Sequence, residues 1–314
     1  MRLYSRIVGT GGYLPSRIVT NDELAASIET TDAWISSMTG IVQRHIAGDG
    51  ESTTDMALLA SSRALAAAGV AARDLDLIIV ATITPDLVFP STAALLQARL
   101  GAPTVGAADL SAACSGFMYG LAFADAMLVA GRVRNALVVG SETMSRLLDW
   151  HDRSTCVLFG DGAAAIVLVP AVQPGLRSIR LHADGSTPDV LRTPSKKNRF
   201  LHMQGGAVFK FAVKGLVEAG TETIEENNFS VDKIDWLIPH QANVRIIDAC
   251  AHKLQIEKNK VIVTVHHHAN TSAASIPLAL DTAVRDGRIR AGHNVLMLSV
   301  GGGFTWSGAL VTWM

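Results

Sequence analysis

A single cysteine sits in "DLSAACSGFMYG" (Asp109–Gly120), after a strand-like run and before an apolar stretch with helical spacing. A strand that turns straight into a helix puts Cys114 at the helix N-terminus. Backbone N–H groups and the helix dipole favour an anion there, so this placement predicts a thiol of lowered pKa. Ala112, Ala113, Ser115 and Gly116 leave room for a substrate beside the sulfur. The chemistry would be nucleophilic attack. A buried, inert thiol fits the same segment equally well. Cys156, in a strand-like run, and Cys250, in a helical one, read as inert.

Three further stretches carry groups suited to such a reaction. In "WLIPHQANVRIID", Pro239, His240, Gln241 and Asn243 lie between a strand and a helix. Polar groups at the carboxyl end of an α/β strand meet ligands, and His240 can act as a base or a hydrogen-bond donor. "VTVHHHANTSAASIP" holds His266, His267 and His268, then Asn270 in a small-residue turn like that around Cys114. Read as an extended segment, neighbouring histidines point to opposite faces. No carboxylate or thiolate stands at ligand spacing, so no metal is expected. In "SVGGGFTW", Gly301, Gly302 and Gly303 follow a strand. They lack both phosphate-loop patterns, which leaves an oxyanion site or a simple turn.

These segments need a scaffold, and the rest of the chain describes one. Leu75–Thr84, Asn135–Glu142 and Ala163–Val169 are almost continuously apolar, as strands buried on both faces are. Helical stretches at Ser91–Gly101 and Gly116–Gly131 alternate with them, so the class is α/β. The second half repeats the first. Asp76 matches Asp235 and Asn135 matches Asn294, each pair 159 residues apart (76 to 235, 135 to 294). A shared offset between two separated elements points to duplication, with halves 1–172 and 173–314 meeting near Val169–Ser178. Asp184–Phe200 reads as a polar surface excursion.

The chain has 314 residues, a net charge of −1 and three cysteines. That balance gives no general attraction to nucleic acid and no disulfide framework. No apolar stretch reaches the roughly 18 residues of a membrane span. A cytoplasmic setting is expected. Charged residues are only 18%, below the usual quarter, which fits surface hidden in central layers or an oligomer interface.

Cys114 in "AACSGF", His240 in "PHQAN", Asn270 in "NTSAASIP" and the "GGGFTW" loop, in that order, resemble the β-ketoacyl-acyl-carrier-protein synthase III family, initiating condensing enzymes of the thiolase-like superfamily. "TDAWISSMTGI", "VFPSTAALLQ" and "DRSTCVLFGDGAAA" extend the likeness over nearly the whole chain. Thiolases differ in carrying a second cysteine before the glycine run, where Ser299 and Val300 stand here. Elongating condensing enzymes have a second histidine where Asn270 stands. The resemblance implies a five-layered αβαβα fold of two duplicated halves and a homodimer with its active site at the base of a tunnel. The N-terminal half then carries the nucleophile, and the C-terminal half the histidine and asparagine.

It also implies a reaction without metal or redox cofactor. Cys114 takes the acyl group of an acyl-CoA primer, acetyl-CoA or another short one, with an oxyanion hole from the N–H groups of Cys114 and Gly302. His240 and Asn270 then stabilise the enolate formed from malonyl-acyl-carrier-protein as CO2 leaves. Trp34, Arg153, Gly205 and Asn243 would hold coenzyme A, and Phe89 would line the partner's acyl pocket. Lys210, Lys214 and Arg245 fit either carrier-protein docking or ordinary solvated charge. Two residues depart from the pattern. Met38 stands where an arginine is expected to help hold the nucleotide, and Ala269 stands where glycine is expected. A specialised-pathway enzyme with the same trio and a non-catalytic partner subunit are the rival readings.

Overall fold

A computed structural model describes residues 3–194 and 200–314. The chain opens with β1 (Tyr4–Tyr13), β2 (Arg17–Thr20), α1 (Asn21–Ala25), α2 (Asp32–Thr39), β3 (Gln43–Ile46) and α3 (Thr53–Ala68). There follow β4 (Leu77–Ala81), α4 (Thr92–Leu100), β5 (Gly106–Leu110), α5 (Gly116–Val129), β6 (Ala136–Glu142) and β7 (Gly162–Ala171). The apolar runs make adjacent strands of one sheet, ordered β1-β7-β6-β4-β5. β4 runs parallel to β5 and β6, and β7 runs antiparallel to β6 and β1. β6 is buried at every residue, which its unbroken apolar run requires once both faces are covered.

The chain continues through β8 (Leu176–Ala183), β9 (Leu191–Arg192), β10 (His202–Met203), α6 (Gly205–Glu226) and β11 (Trp236–Pro239). It closes with α7 (Val244–Lys253), α8 (Val265–His268), α9 (Ser275–Arg285), β12 (Asn294–Gly301) and β13 (Thr305–Thr312). The second sheet is ordered β11-β12-β13-β8. A shift of 159 residues carries β4 onto β11 and α5 onto α9 (77 to 236, 116 to 275). It also carries the 3₁₀ turn Ala113–Ser115 onto Ser272–Ala274 (113 to 272). The repeat seen in residue types is thus a repeat of structure.

The layers follow from what each helix touches. α3 packs on β1, β6 and β7, and α6 packs on β8, β12 and β13. α5 and α9 lie between the sheets: α5 meets β4, β6, β8 and β13, while α9 meets β1, β7 and β11. The order is αβαβα. α5 is apolar around most of its circumference, as a helix in a central layer must be. Among the described residues, no helix is long and apolar enough to cross a membrane.

Three local expectations are corrected. The histidine run is one helical turn, α8, and not an extended segment. The His266 carbonyl accepts from Val42 N–H and its Nδ1 meets the Gly40 carbonyl, ties that an extended chain would not place together. Cys156 lies in a series of turns rather than a strand, because Asp152 draws in the N–H groups of Ser154, Thr155 and Cys156. The stretch 184–200 is not all surface: Leu191, Thr193 and Pro194 line a cavity beside Cys114. Residues 195–199 of that stretch lie outside the described residues.

Candidate active site

β5 ends at Leu110, and a tight turn delivers Cys114 to the start of α5. Ala113 takes φ 47°, a conformation uncommon for a residue with a side chain. Cys114 is 8% exposed. The glycine run lies against it. A Cβ on Gly301 would stand 2.8 Å from the Cys114 nitrogen and 2.9 Å from that of Ser115, so only glycine fits. Gly302 is a neighbour of Ala113 and lines the same cavity as Cys114.

His240 follows β11. Its N–H donates to the Leu298 carbonyl at 2.7 Å, and its Nδ1 lies 2.6 Å from Ser275 Oγ. Gln241 ties this turn to its surroundings, donating to the Pro239 and Ile262 carbonyls and accepting from the N–H groups of Thr264 and Val265. Asn270 is pinned at both ends: its N–H donates to Leu158 O, and its carbonyl accepts from Gly160 N–H. Its Oδ1 accepts from Ser272 N–H at 2.9 Å. The side-chain NH2 is therefore the donor it can turn toward a ligand.

Cys114, His240 and Asn270 line one cavity of about 60 Å3, walled by Met203, Phe211 and Phe304. Cys114 also borders a second cavity of about 690 Å3, lined by Leu87, Val88, Met144, Leu147, Phe159 and Leu191. The sulfur thus stands between a small, largely apolar chamber that holds the His240, Asn243 and Asn270 side chains and a wider space. A further opening of about 770 Å3 near Arg17, Glu23 and Trp150 includes none of the trio.

The electrostatics correct one expectation. Burial pushes the Cys114 thiol up to about 11; a hydrogen bond from Ser272 counters this and the charge of Glu142 adds to it. The lowered pKa read from the helix start is overturned, because the same packing that seats the turn removes water from the sulfur. Burial also lowers His240 to about 4, so its imidazole is neutral at neutral pH. Glu142, fully buried at the end of β6, is raised to about 7 by burial, against hydrogen bonds from Thr84, Ile83, Ser272 and Thr82. Sequence reasoning missed it. The available signal was a lone carboxylate ending the apolar run "ALVVGSE".

The outer residues divide. The Arg153 guanidinium stacks 5.1 Å over the Trp34 ring and donates to Glu29 O. Asn243 lines the small chamber, while its Oδ1 caps α7 by accepting from Ile246 N–H. Gly205 opens α6 but does not line the chamber, where Met203 and Val208 stand instead. Phe89 is 83% exposed and lines neither cavity in its own chain, although Leu87 and Val88 line the larger one. Lys210 and Lys214 are exposed on α6, and Arg245 is exposed on α7. Arg245 Nη1 lies 3.8 Å from Met38 Sδ.

Residues 108–185 match the 3-oxoacyl-[acyl-carrier-protein] synthase III family, and residues 224–313 match its C-terminal part. The β-ketoacyl-[acyl-carrier-protein] synthase III of Xylella fastidiosa is 52% identical, over 99% of this chain and 98% of that one. The chain belongs to this family. As a synthase III it is an acyltransferase of the condensing type, with the thiolase fold. The solved synthase III of Aquifex aeolicus superposes with a TM-score of 0.96 at 44% identity, covering 98% of this chain and all of that one. The priming β-ketosynthase of the R1128 polyketide pathway superposes with a TM-score of 0.95 at 38% identity, covering 99% and 97%.

Proposed function

We propose that this synthase III joins a short acyl-CoA primer to malonyl-acyl-carrier-protein through an acyl group on Cys114. The observation that carries the reading is the meeting of Cys114, His240 and Asn270, drawn from two halves of the chain, on one small buried chamber. Cys114 attacks the primer's thioester carbonyl, coenzyme A leaves, and an acyl-enzyme remains. The N–H groups of Cys114 and Gly302 face the developing oxyanion. The 690 Å3 cavity on the other side of the sulfur receives the acyl chain.

The second half-reaction needs hydrogen bonds and no fixed positive charge. Ser275 Oγ lies 2.6 Å from His240 Nδ1 and accepts from Gln241 N–H at 3.5 Å, and the role assigned to His240 takes the serine hydroxyl as the donor to Nδ1. That leaves Nε2 as the protonated nitrogen. Nε2–H and the Asn270 NH2 donate to the malonyl thioester oxygen. As CO2 departs they hold the enolate, whose carbon bonds to the acyl carbonyl carbon while that carbon's bond to the Cys114 sulfur breaks and the thiolate is released. A neutral imidazole suits this role, because a cation would bind the malonyl carboxylate that has to leave as CO2. The step calls on no metal or redox cofactor.

Trp34 and Arg153 suit the primer's coenzyme A, with Gly205 beside Met203 and Asn243 at the chamber further in. Lys210, Lys214 and Arg245 suit the acidic carrier protein. A second copy of the chain covers the exposed Phe89, and the setting is the cytoplasm. Met38 and the likeness to a polyketide priming synthase favour a second reading, a specialised pathway with the same trio. Intact-mass measurement after mixing with a panel of acyl-CoAs tests both. The expected result is one acyl adduct that maps to Cys114 and forms fastest from a short primer. Adducts from unusual primers alone favour the specialised pathway, and no adduct on Cys114 from any of them overturns both.

A further inference from the structure

Gln241 lines neither cavity, yet it is fully buried beside His240. Its side-chain amide has no hydrogen-bonding capacity to spare. The NH2 donates to the Pro239 carbonyl at 2.8 Å and to the Ile262 carbonyl at 3.1 Å. The Oε1 accepts from Thr264 N–H at 2.8 Å and from Val265 N–H at 3.1 Å. Two carbonyls on one side and two N–H groups on the other fix which way the amide faces. Thr264, the N-cap of α8, makes no side-chain capping bond, so Gln241 is what meets the first N–H groups of that turn.

The internal repeat shows what these bonds replace. The residue 159 places before Gln241 is Thr82 (82 to 241). Thr82 N–H donates to the Leu110 carbonyl, so β5 accompanies β4 to its end. In the second half the corresponding neighbour of β11 leaves early. The pairing there is an isolated bridge between Leu237 and Val261, with Ile262 N–H donating to the Leu237 carbonyl. The chain then turns into α8. The Gln241 amide supplies the donors and acceptors that a further peptide unit would have supplied. Among the described residues, the hydrogen bonds between the His240 turn, 239–242, and the arm 262–270 all pass through Gln241. The far end of the arm is held separately, by Leu158 and Gly160 on the Asn270 backbone. Between the two anchors Ala269 is kept at φ 57°, and such strain lasts only where the surroundings fix it from both sides.

We propose that Gln241 is a positioning residue that holds the Asn270 amide in register with the His240 imidazole and so sets the rate of the malonyl half-reaction. The inference rests on the roles proposed above for His240 and Asn270. His240 is fixed by the Leu298 carbonyl and Ser275. Gln241, next to it in the chain, carries that position to the start of α8, and α8 carries it to Asn270. Without the amide, the Thr264 and Val265 N–H groups and the Ile262 carbonyl lose their partner. The strain at Ala269 is then free to relax by turning α8. Asn270 no longer aims at the oxygen that His240 binds, and the enolate loses one of its two donors. Cys114 stands on the turn after β5, against the glycine run. Neither is bonded to Gln241, so acylation does not depend on this link.

The test separates the two half-reactions in wild type, Gln241→Met, Gln241→Glu, Asn270→Ala and the double variant of Gln241→Met with Asn270→Ala. Acylation is read by intact mass in a single turnover from acetyl-CoA. The preformed acyl-enzyme is then mixed with malonyl-acyl-carrier-protein, and CO2 release against its concentration gives kcat and KM. Gln241→Met, unbranched and without the amide, should lower kcat on the order of a hundredfold, the scale of a misplacement of about 1 Å. Its KM and its acylation rate should stay within about threefold of wild type. Gln241→Glu keeps the acceptor for Thr264 and Val265 and should lose about tenfold. In the double variant, loss of Gln241 should add less than about threefold to Asn270→Ala, because a residue that acts through Asn270 has nothing left to position. A Gln241→Met protein with kcat near wild type, an equal loss in both half-reactions, or a loss that adds in full to Asn270→Ala overturns the proposal and leaves the roles of His240 and Asn270 in place. An Asn270→Ala protein that releases CO2 at the wild-type rate removes the reading on which the proposal rests. If Gln241→Met does not fold, Gln241→Glu, alone and with Asn270→Ala, decides by the same comparison.

Discussion

Ala269, between the histidine turn and Asn270, holds φ 57° and ψ −163°. That region is essentially reserved for glycine and costs other residues on the order of 1–3 kcal/mol. Ala269→Gly should therefore stabilise the protein by about 1–2 kcal/mol, measured by urea unfolding. No gain would mean that the surroundings have relaxed around the methyl group. A second residue-scale prediction concerns pH. Burial lowers His240 to about 4, whereas an unfolded histidine titrates near 6.5. Between these values the unfolded chain binds a proton that the folded chain excludes, so His240 adds stability as pH rises. Glu142 has the opposite sign. Its folded pKa is raised from 4.5 to about 7, so its contribution is complete below 4.5 and is lost as pH rises toward 7. Between pH 4.5 and 6.5 the two nearly cancel. His240→Gln should make the slope of unfolding free energy more negative than wild type by about 1.4 kcal/mol per pH unit, and Glu142→Gln more positive by the same amount. Equal slopes in all three proteins would show that neither group is shielded from water. Cys114, His240 and Asn270 could be singled out as candidates because each sits at a strand end or small-residue turn, and the structure brings them to one cavity. The ionisation of Cys114 was not legible, since it depends on layers that assemble from distant parts of the chain.

At the scale of elements, α2 and α7 meet where one departure from the family pattern falls. Trp34 and Met38 lie one turn apart on α2, and both are exposed. Arg245 reaches across from α7 to the Met38 sulfur and lies 5.8 Å over Phe209. Beside the stacked Trp34 and Arg153, this face has one cation fewer than the resemblance leads one to expect. Met38→Arg should displace the exposed Arg245 and tighten coenzyme A by about tenfold, within the 1–3 kcal/mol of a charged hydrogen bond. Titration calorimetry reads this directly, and an unchanged Kd sinks the idea. The strands were legible at this scale because β4, β6 and β7, buried on both faces, leave unbroken apolar runs. The cavity wall from Leu191 to Pro194 was not. Its polar, turn-rich composition reads as surface, and only the fold brings Leu191 against Phe159 and Gly302.

At the scale of the molecule, the exposed apolar side chains are unevenly placed. Leu87, Val88 and Phe89 are 49%, 97% and 83% exposed in consecutive positions, and isolated exposed side chains would need no such explanation. They lie in the connection after β4. β5, which pairs with β4, is the edge of its sheet and presents unpaired backbone groups on its outer side. An uncovered edge beside an apolar tip is what a stable monomer avoids. Phe123 and Met127 on α5 add two more exposed apolar side chains one turn apart. A second copy of the chain would cover these features together, and the 690 Å3 cavity, walled by Leu87 and Val88, would then be closed by the interface. A charge at the tip should separate the copies. Phe89→Asp is expected to convert a dimer at tens of micromolar into monomers by light scattering. Acyl transfer to Cys114 should fall by at least about tenfold, because the acyl cavity is left open to water, while secondary structure is retained. The two losses should track each other as protein concentration is raised. A wild type that scatters as a monomer at those concentrations, or a monomeric variant that acylates at the full rate, would show that each chain closes its own acyl cavity.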